Sequence, residues 1–136
     1  MSDNRISLDI VTPEKNVFSS EVYYFHIPTS TGSIGVYPKH AAIVTALDVG
    51  EMAIDDGNGN REVLFIGGGF LEVGGNKAVV LAKSAEKSEE IDVERAEKAK
   101  ARAEARLAEH AEGLDVARAE LALKKAIQRI KIANRA

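Results

Sequence analysis

The sequence predicts a molecule of the β + α class, with an N-terminal antiparallel β-sandwich followed by a C-terminal antiparallel two-helix hairpin. Three observations point there. Short apolar–polar alternations, separated by glycine, proline, asparagine and aspartate, run from residue 6 to residue 82, and a period of two marks half-buried strands. From Val93 the apolar spacing lengthens, and alanine, glutamate, lysine and arginine take over, a composition of high intrinsic helicity. Asp92 stands at the change. Its carboxylate can accept a hydrogen bond from an unpaired first-turn amide and complements the positive end of a helix dipole. The body is placed at residues 1–86 and the helical arm at 87–136.

Taken in order, Ile6, Leu8 and Ile10 alternate with Ser7 and Asp9, and Thr12-Pro13-Glu14 ends that strand. Val17-Phe18 is a short candidate, and 22–27 is an aromatic and β-branched strand closed by Pro28. A turn-rich stretch follows through Thr31, Gly32, Ser33 and Ile34 to Pro38-Lys39-His40. Two strands are read at 42–47 and 50–54, and Asp55 to Asn60 is a hairpin turn. Strands at 62–66 and 70–73 are separated by Gly67-Gly68-Gly69, and 77–82 is the last. Roughly eight or nine short strands with regular turns suggest a sandwich or flattened barrel. The glycine run is not a phosphate loop. After Gly69 and Gly74 come Gly75-Asn76, where such a loop needs Lys-Ser/Thr. A bulge or close sheet packing is expected instead.

In the arm, Ala96, Ala99, Ala103 and Leu107 fall on one helix face, and the pattern dissolves at His110-Ala111-Glu112-Gly113. Asp115 is a second N-cap, and Val116, Ala119, Leu123, Ala126, Ile127 and Ile130 form a second apolar stripe. A seam made mostly of alanine buries little area, and at about 25 cal/mol per Å² it is a weak core. The hairpin is therefore expected either to dock on the sandwich or to open and use the stripe on a partner.

Composition excludes several functions. Without cysteine there are no disulfides, thiolate metal sites or thiol nucleophiles. His26, His40 and His110 have no ligand spacing, so no metal site is expected. No Ser-His-Asp set, HExxH or phosphate loop is present, so no catalytic residue is assigned. No apolar run approaches the roughly 20 residues of a membrane helix. The N-terminus lacks the basic and apolar regions of a secretory signal, so the default expectation is a soluble cytosolic chain. The net charge of −3 conceals an asymmetry. Residues 1–83 carry six basic and ten acidic side chains, whereas 84–136 carry twelve and eleven. Within 116–136, Arg118, Lys124, Lys125, Arg129, Lys131 and Arg135 are accompanied by one acid, Glu120. Such a segment should seek an acidic surface or an anionic ligand. The plainer alternative is a solvated face with cations near a helix C-terminus.

Several stretches in fixed order carry a resemblance: IVTPEKNVFSSEV, GSIGVYPKHAAIVTALDVGEMAI, GGGFLEVGGNKAVVLAKSAE, and IDVERA with the helical tail. Along nearly its whole length the chain resembles the epsilon subunit of bacterial F-type ATP synthases, in its Bacillus-like forms. The resemblance implies a non-catalytic rotor-stalk subunit, peripheral to the cytoplasmic side of the cell membrane and bound there through the complex. It implies that the sandwich binds the gamma subunit and the c-subunit ring. The hairpin would be a regulatory arm that, when extended, reaches the alpha and beta subunits and blocks ATP hydrolysis. Nucleic acid is not expected among the partners. For the ring contact it points to Thr31, Gly32, Ser33 and Ile34. For the inhibitory basic face it points to Arg118, Lys124, Lys125, Arg129 and Lys131, opposite an acidic segment of beta.

Some members of this family bind ATP as a regulatory ligand in the folded-down state, through the motif Ile/Leu-Asp-x-x-Arg-Ala. Here the motif stands intact in Ile91, Asp92, Arg95 and Ala96. Its companions are Glu86 upstream, Arg102 on the first helix, and Lys125 and Arg129 on the second. Lys125 stands where the binding forms carry arginine, and it offers a point charge in place of a fork of donors. Any need for magnesium is left open. The plainer alternative for Asp92 and Arg95 is a capped, solvated first turn. A free-standing ATP-sensing module is the competing function.

Overall fold

The computed structural model describes residues 4–110 and 112–135. The strands are β1 (Ile6–Val11), β2 (Asn16–Val22), β3 (Tyr24–Thr29), β4 (Gly32–Val36), β5 (Ile43–Asp55), β6 (Arg61–Gly74), β7 (Lys77–Ala82) and β8 (Ala85–Lys87). A single 3-10 turn, Ser88–Glu90, leads to α1 (Val93–Glu109) and α2 (Val116–Arg135). The expected boundary at 86/87 falls inside β8. Ala111 of the expected interhelical turn, residues 1–3 of the body and residue 136 of the arm lie outside the described residues.

The strands hydrogen-bond in the order β2-β1-β7-β6-β5-β3-β4, with β8 added to β6. The path closes into a sandwich because β5 and β6 belong to both layers. Residues 43–47 of β5 and 69–74 of β6 join β7, β1 and β2, whereas their other halves join β3, β4 and β8. Alternate residues of both layers point inward, so Ile6, Leu8, Ile10, Phe25, Ile27, Met52, Leu64, Ile66, Leu71 and Val80 form the buried core. Every pairing is antiparallel except that of β1 with β7. These two strands are far apart in sequence, so no tight turn dictates their relative direction.

Three local expectations are redrawn. The strands expected at 42–47 and 50–54 are one strand, as are 62–66 and 70–73. The ladder skips only Asp48 and Gly68. The glycines bend the sheet without breaking it: Gly69 has φ +135°, and an added Cβ would overlap the carbonyl oxygen of Leu81. The segment 22–27 divides at Tyr23, where the chain passes from one layer to the other. Val22 pairs with Ile6, while the Tyr23 amide donates to the Asp55 carbonyl. Pro28 lies inside β3, at a gap in the β3–β5 ladder where its missing N–H leaves no acceptor unsatisfied there.

Both helices start at the expected caps. The Arg95 amide donates to Asp92 Oδ1 at 3.0 Å, and the Arg118 amide donates to Asp115 Oδ1 at 3.0 Å. Helix α1 stops at His110, which takes the left-handed conformation with φ 49°. Ala96 and Ala103 face Ala119 and Ala126 along the buried interhelical seam. The stripe read for α2 is only half right. Val116 and Ile127 are exposed, and Ile132, outside that stripe, is fully buried. Helix α2 has two neighbours, α1 and the sandwich, and Ile132 faces the second.

The bend yields a test. Gly69→Ala should cost about 2–3 kcal/mol in urea unfolding, because it adds a backbone overlap to a strained φ. Gly59→Ala, at an open turn of comparable φ, should cost less.

Candidate functional site

The arm is seated on the outer face of β5, β6 and β8, and the sequence of α2 explains how. Phe65 on β6 lies directly opposite Glu51 of β5 on one side and Glu86 of β8 on the other. Residues opposite one another in a ladder share a face, so Glu51, Phe65 and Glu86 form a row across three strands. Strands lie about 4.8 Å apart, so this row spans about 9.6 Å. On α2, Arg129, Ile132 and Arg135 follow at intervals of three, and six residues of helix rise about 9 Å. The two rows meet member by member. Arg129 Nε donates to Glu86 Oε1 at 2.7 Å. Ile132 packs in one cluster with Phe65, Val49 and Ile91. Arg135 pairs with Glu51. Beside the row, Lys124 Nζ donates to Asp48 Oδ1 at 2.9 Å.

This seating closes a hollow of about 560 Å³ between the two helices and the body, within the size range of small-molecule sites. Its walls carry Glu86 from β8, Glu90 and Asp92 from the entry to α1, Arg95 and Arg102 from α1, and Lys125 and Arg129 from α2. Ala96, Ala99, Ala122 and Ala126 line the rest. The alanine seam, weak as a core, leaves room here: short side chains on both helices keep the space open. The hollow is rich in cations. Among the described residues, Arg95, Arg102 and Lys125 make no ion pair within 4.0 Å, and Arg129 pairs with Glu86 alone. The guanidinium of Arg129 also lies over the Phe65 ring, 4.3 Å from its centroid.

Seven of the eight residues named for a nucleotide thus come together: Glu86, Asp92, Arg95, Ala96, Arg102, Lys125 and Arg129. Ile91 does not line the hollow, since it packs against Phe65 and Ile132 beneath the arm. Glu90 was not anticipated, and its only signal was proximity to the motif. Phe65 was also missed, although the run Val63-Leu64-Phe65-Ile66, apolar on both faces, could have marked a strand covered on both sides.

The basic set does not lie on one face. At about 100° per residue, Arg118, Lys125 and Arg129 share one line of α2, and Lys124 and Lys131 share another about 130° away. Arg118 lines a second groove toward the interhelical turn, together with Arg102 and Arg106. Thr31 to Ile34 form the β3–β4 turn and the start of β4, beside Ala46 and Leu47 of β5. Thr29 Oγ1 donates there to the Gly32 carbonyl. Thr31, Gly32 and Ser33 are exposed and Ile34 is half-buried. Among the described residues, no group of three His, Cys, Asp or Glu has metal-holding geometry. No described helix is long and apolar enough to cross a membrane.

These features define a class of protein: a β-sandwich with a two-helix arm against one face and a hollow with four cationic side chains between them. Comparison with known proteins narrows the class. The model of the ATP synthase delta/epsilon chain β-sandwich domain matches residues 5–88, and that of its long α-helix domain matches residues 89–134. An ATP synthase epsilon chain of Desulforamulus reducens is 51% identical over 93% of this chain and 95% of its own length. That of Levilactobacillus brevis is 40% identical over 98% and 99%. In a Euglena gracilis mitochondrial ATP synthase assembly of OSCP, F1 and c-ring, one chain superposes with a TM-score of 0.81 at 24% identity, covering 92% of this chain and 79% of that one. A chain of the Tetrahymena thermophila central stalk and c-ring superposes with a TM-score of 0.61 at 15% identity, covering 95% and 93%. The chain belongs to the ATP synthase delta/epsilon family, among its bacterial epsilon chains.

The Lys124 hydrogen bond holds the Asp48 carboxyl below the usual carboxylate range, helped by the Val49 amide and opposed by partial burial. A carboxyl lowered in this way stabilises the seated arm above its free pKa, and the contribution disappears as pH falls through the lowered value. Both side chains are about half exposed, so the effect is at most about 1 kcal/mol. Lys124→Ala should move the Asp48 titration upward, as read by carboxyl-carbon NMR, and should flatten the acid-side weakening of arm seating.

Proposed function

We propose that this chain is a non-catalytic subunit of the rotor stalk of a proton-translocating F-type ATP synthase. It couples proton flow to ATP synthesis, and it restrains ATP hydrolysis when its arm leaves the body. In the seated state the hollow takes ATP as a regulatory ligand. One observation carries this reading: Glu86, Asp92, Arg95, Arg102, Lys125 and Arg129, from three separate parts of the chain, converge on one hollow that seating of the arm creates. Arginine forks give phosphate bidentate hydrogen bonds, and lysine adds charge. Ligand that binds only the seated arm lowers the extended population by its differential affinity. Family membership supports the stalk, the gamma subunit, the c-ring and the alpha/beta hexamer as partners. It also supports a peripheral position on the cytoplasmic side of the cell membrane, through the complex.

For gamma, the fitting surface is the outer face of the opposite layer. Ala46, Phe70, Leu81 and Val11 follow one another across β5, β6, β7 and β1. Phe70 and Leu81 are 56% and 54% exposed, and an apolar row of this kind marks a protein contact. The Thr31–Ile34 segment at the β3–β4 turn is the proposed ring contact.

Two tests follow. Backbone NMR titration with ATP should give saturable shifts at Glu86, Asp92, Arg95, Arg102 and Arg129 that ADP and GTP do not reproduce. Lys125→Arg should tighten ATP about three- to tenfold by restoring a bidentate donor. Still peaks at millimolar ATP would refute the nucleotide reading. Phe70→Asp should abolish co-purification with gamma while leaving the ATP shifts intact, and undiminished co-purification would move the gamma contact elsewhere.

A further inference from the structure

On the nucleotide reading just given, one residue behind the wall of the hollow is unaccounted for by charge. Phe65 is fully buried, yet it does not belong to the sandwich core. Its neighbours Leu64 and Ile66 point inward, and Phe65 points outward on the face that the arm covers. Beside Val49 and Val63 of the body and Ile91, the ring is covered by Ile132 and Ala133 of α2.

Two contacts then fix one guanidinium. Glu86 takes Nε of Arg129 at the edge, and Phe65 supports the plane, 4.3 Å from Cζ to ring centroid. Glu86 and Phe65 are paired directly across β8 and β6, so the register of the body sets both contacts at once. Among the described residues, Nη1 and Nη2 of Arg129 donate to no protein acceptor. A planar cation stacked on a ring and tied by one edge keeps its remaining edge in a defined direction. That edge belongs to a residue lining the hollow.

We propose that Phe65 is a positioning residue of the hollow: it holds the Arg129 guanidinium flat, so that the two terminal nitrogens present a fixed fork to a phosphate group. Because the same ring receives Ile132, the fork is set only when the arm is in register. Seating and phosphate recognition therefore share one side chain, and an arm seated out of register would bring the cations near the hollow without aligning them.

The experiment uses the full chain with Phe65→Leu, Phe65→Met (unbranched and able to fill the gap), Arg129→Lys and the Phe65→Leu/Arg129→Lys double variant. In the ligand-free protein, the Arg129 Nε–H resonance should carry a ring-current shift that both Phe65 variants abolish. ATP affinity should fall about fivefold in Phe65→Leu, in keeping with a cation–π contact of roughly 1 kcal/mol. In the Arg129→Lys background, which keeps the charge and loses the planar face, Phe65→Leu should cost little more. A purely structural role would make the two losses additive. Additive losses, or an Arg129 resonance indifferent to Phe65, would overturn the proposal. If wild-type protein shows no saturable ATP shifts, the nucleotide reading fails and phosphate recognition falls with it. The ligand-free Arg129 resonance still decides, separately, whether the ring positions the cation.

Discussion

The match between two short rows joins the halves of this molecule. Glu86, Phe65 and Glu51 cross three strands at the spacing of a sheet, and Arg129, Ile132 and Arg135 run along one helix at intervals of three. The two periods agree to within an ångström over the length of the row. A shift of α2 by one residue would rotate Ile132 by about 100° and offer Phe65 Lys131 in one direction or the much smaller Ala133 in the other. The apolar centre thus specifies register; the flanking Arg–Glu pairs would be the same in either direction, and Lys124 with Asp48 beside the row breaks that symmetry.

The energies on the two sides of this contact are unequal. Burying Ile132 contributes about 1.5–3 kcal/mol. The partly exposed pairs at Asp48, Glu51 and Glu86 add at most about 1 kcal/mol each. The sandwich has its own closed core of inward residues from seven strands, and none of these belongs to the arm. The core of the body is therefore complete without the arm, and on the proposed reading the arm leaves by local opening at the weak end of the stability range. High helicity from alanine and (i, i+4) pairs such as Glu94–Lys98 supports each helix in either state.

How much of this was legible in the sequence depends on how local each signal is. Alternation revealed the strands, and Asp92 and Asp115 revealed both helix starts, because caps and periods are written in adjacent residues. The bend at Gly67–Gly69 looked like a break, since nothing nearby shows that the ladder resumes with the same partners. The parallel β1–β7 pairing and the turn at Tyr23 depend on partners about 70 and 30 residues away in the chain, and no local pattern encodes them. Ile132 was missed because the α2 stripe was read against one neighbour, and the helix has two. The hollow was legible only through family resemblance. Glu86 and Arg129 are 43 residues apart, and charge alone fits a solvated helix face equally well.

The seated arm and the hollow set a scale for regulation on the proposed reading. A ligand that binds only the seated state stabilises it by RT ln(1 + [L]/Kd), about 2.7 kcal/mol at a hundred times Kd. That is comparable to what Ile132 contributes by burial. Nucleotide can therefore shift the balance of the arm substantially without locking it, because a partner that engages the released helices can recover a similar amount. Lys124 and Arg129 sharpen the choice: while the body's carboxylates hold them, they are unavailable elsewhere, so seating and engagement exclude each other. The lysine at position 125 places this chain toward weaker coupling, since a point charge gains less from a phosphate than a fork does. The arm is thus balanced by small terms of similar size, which is the condition under which a modest ligand can act as a switch.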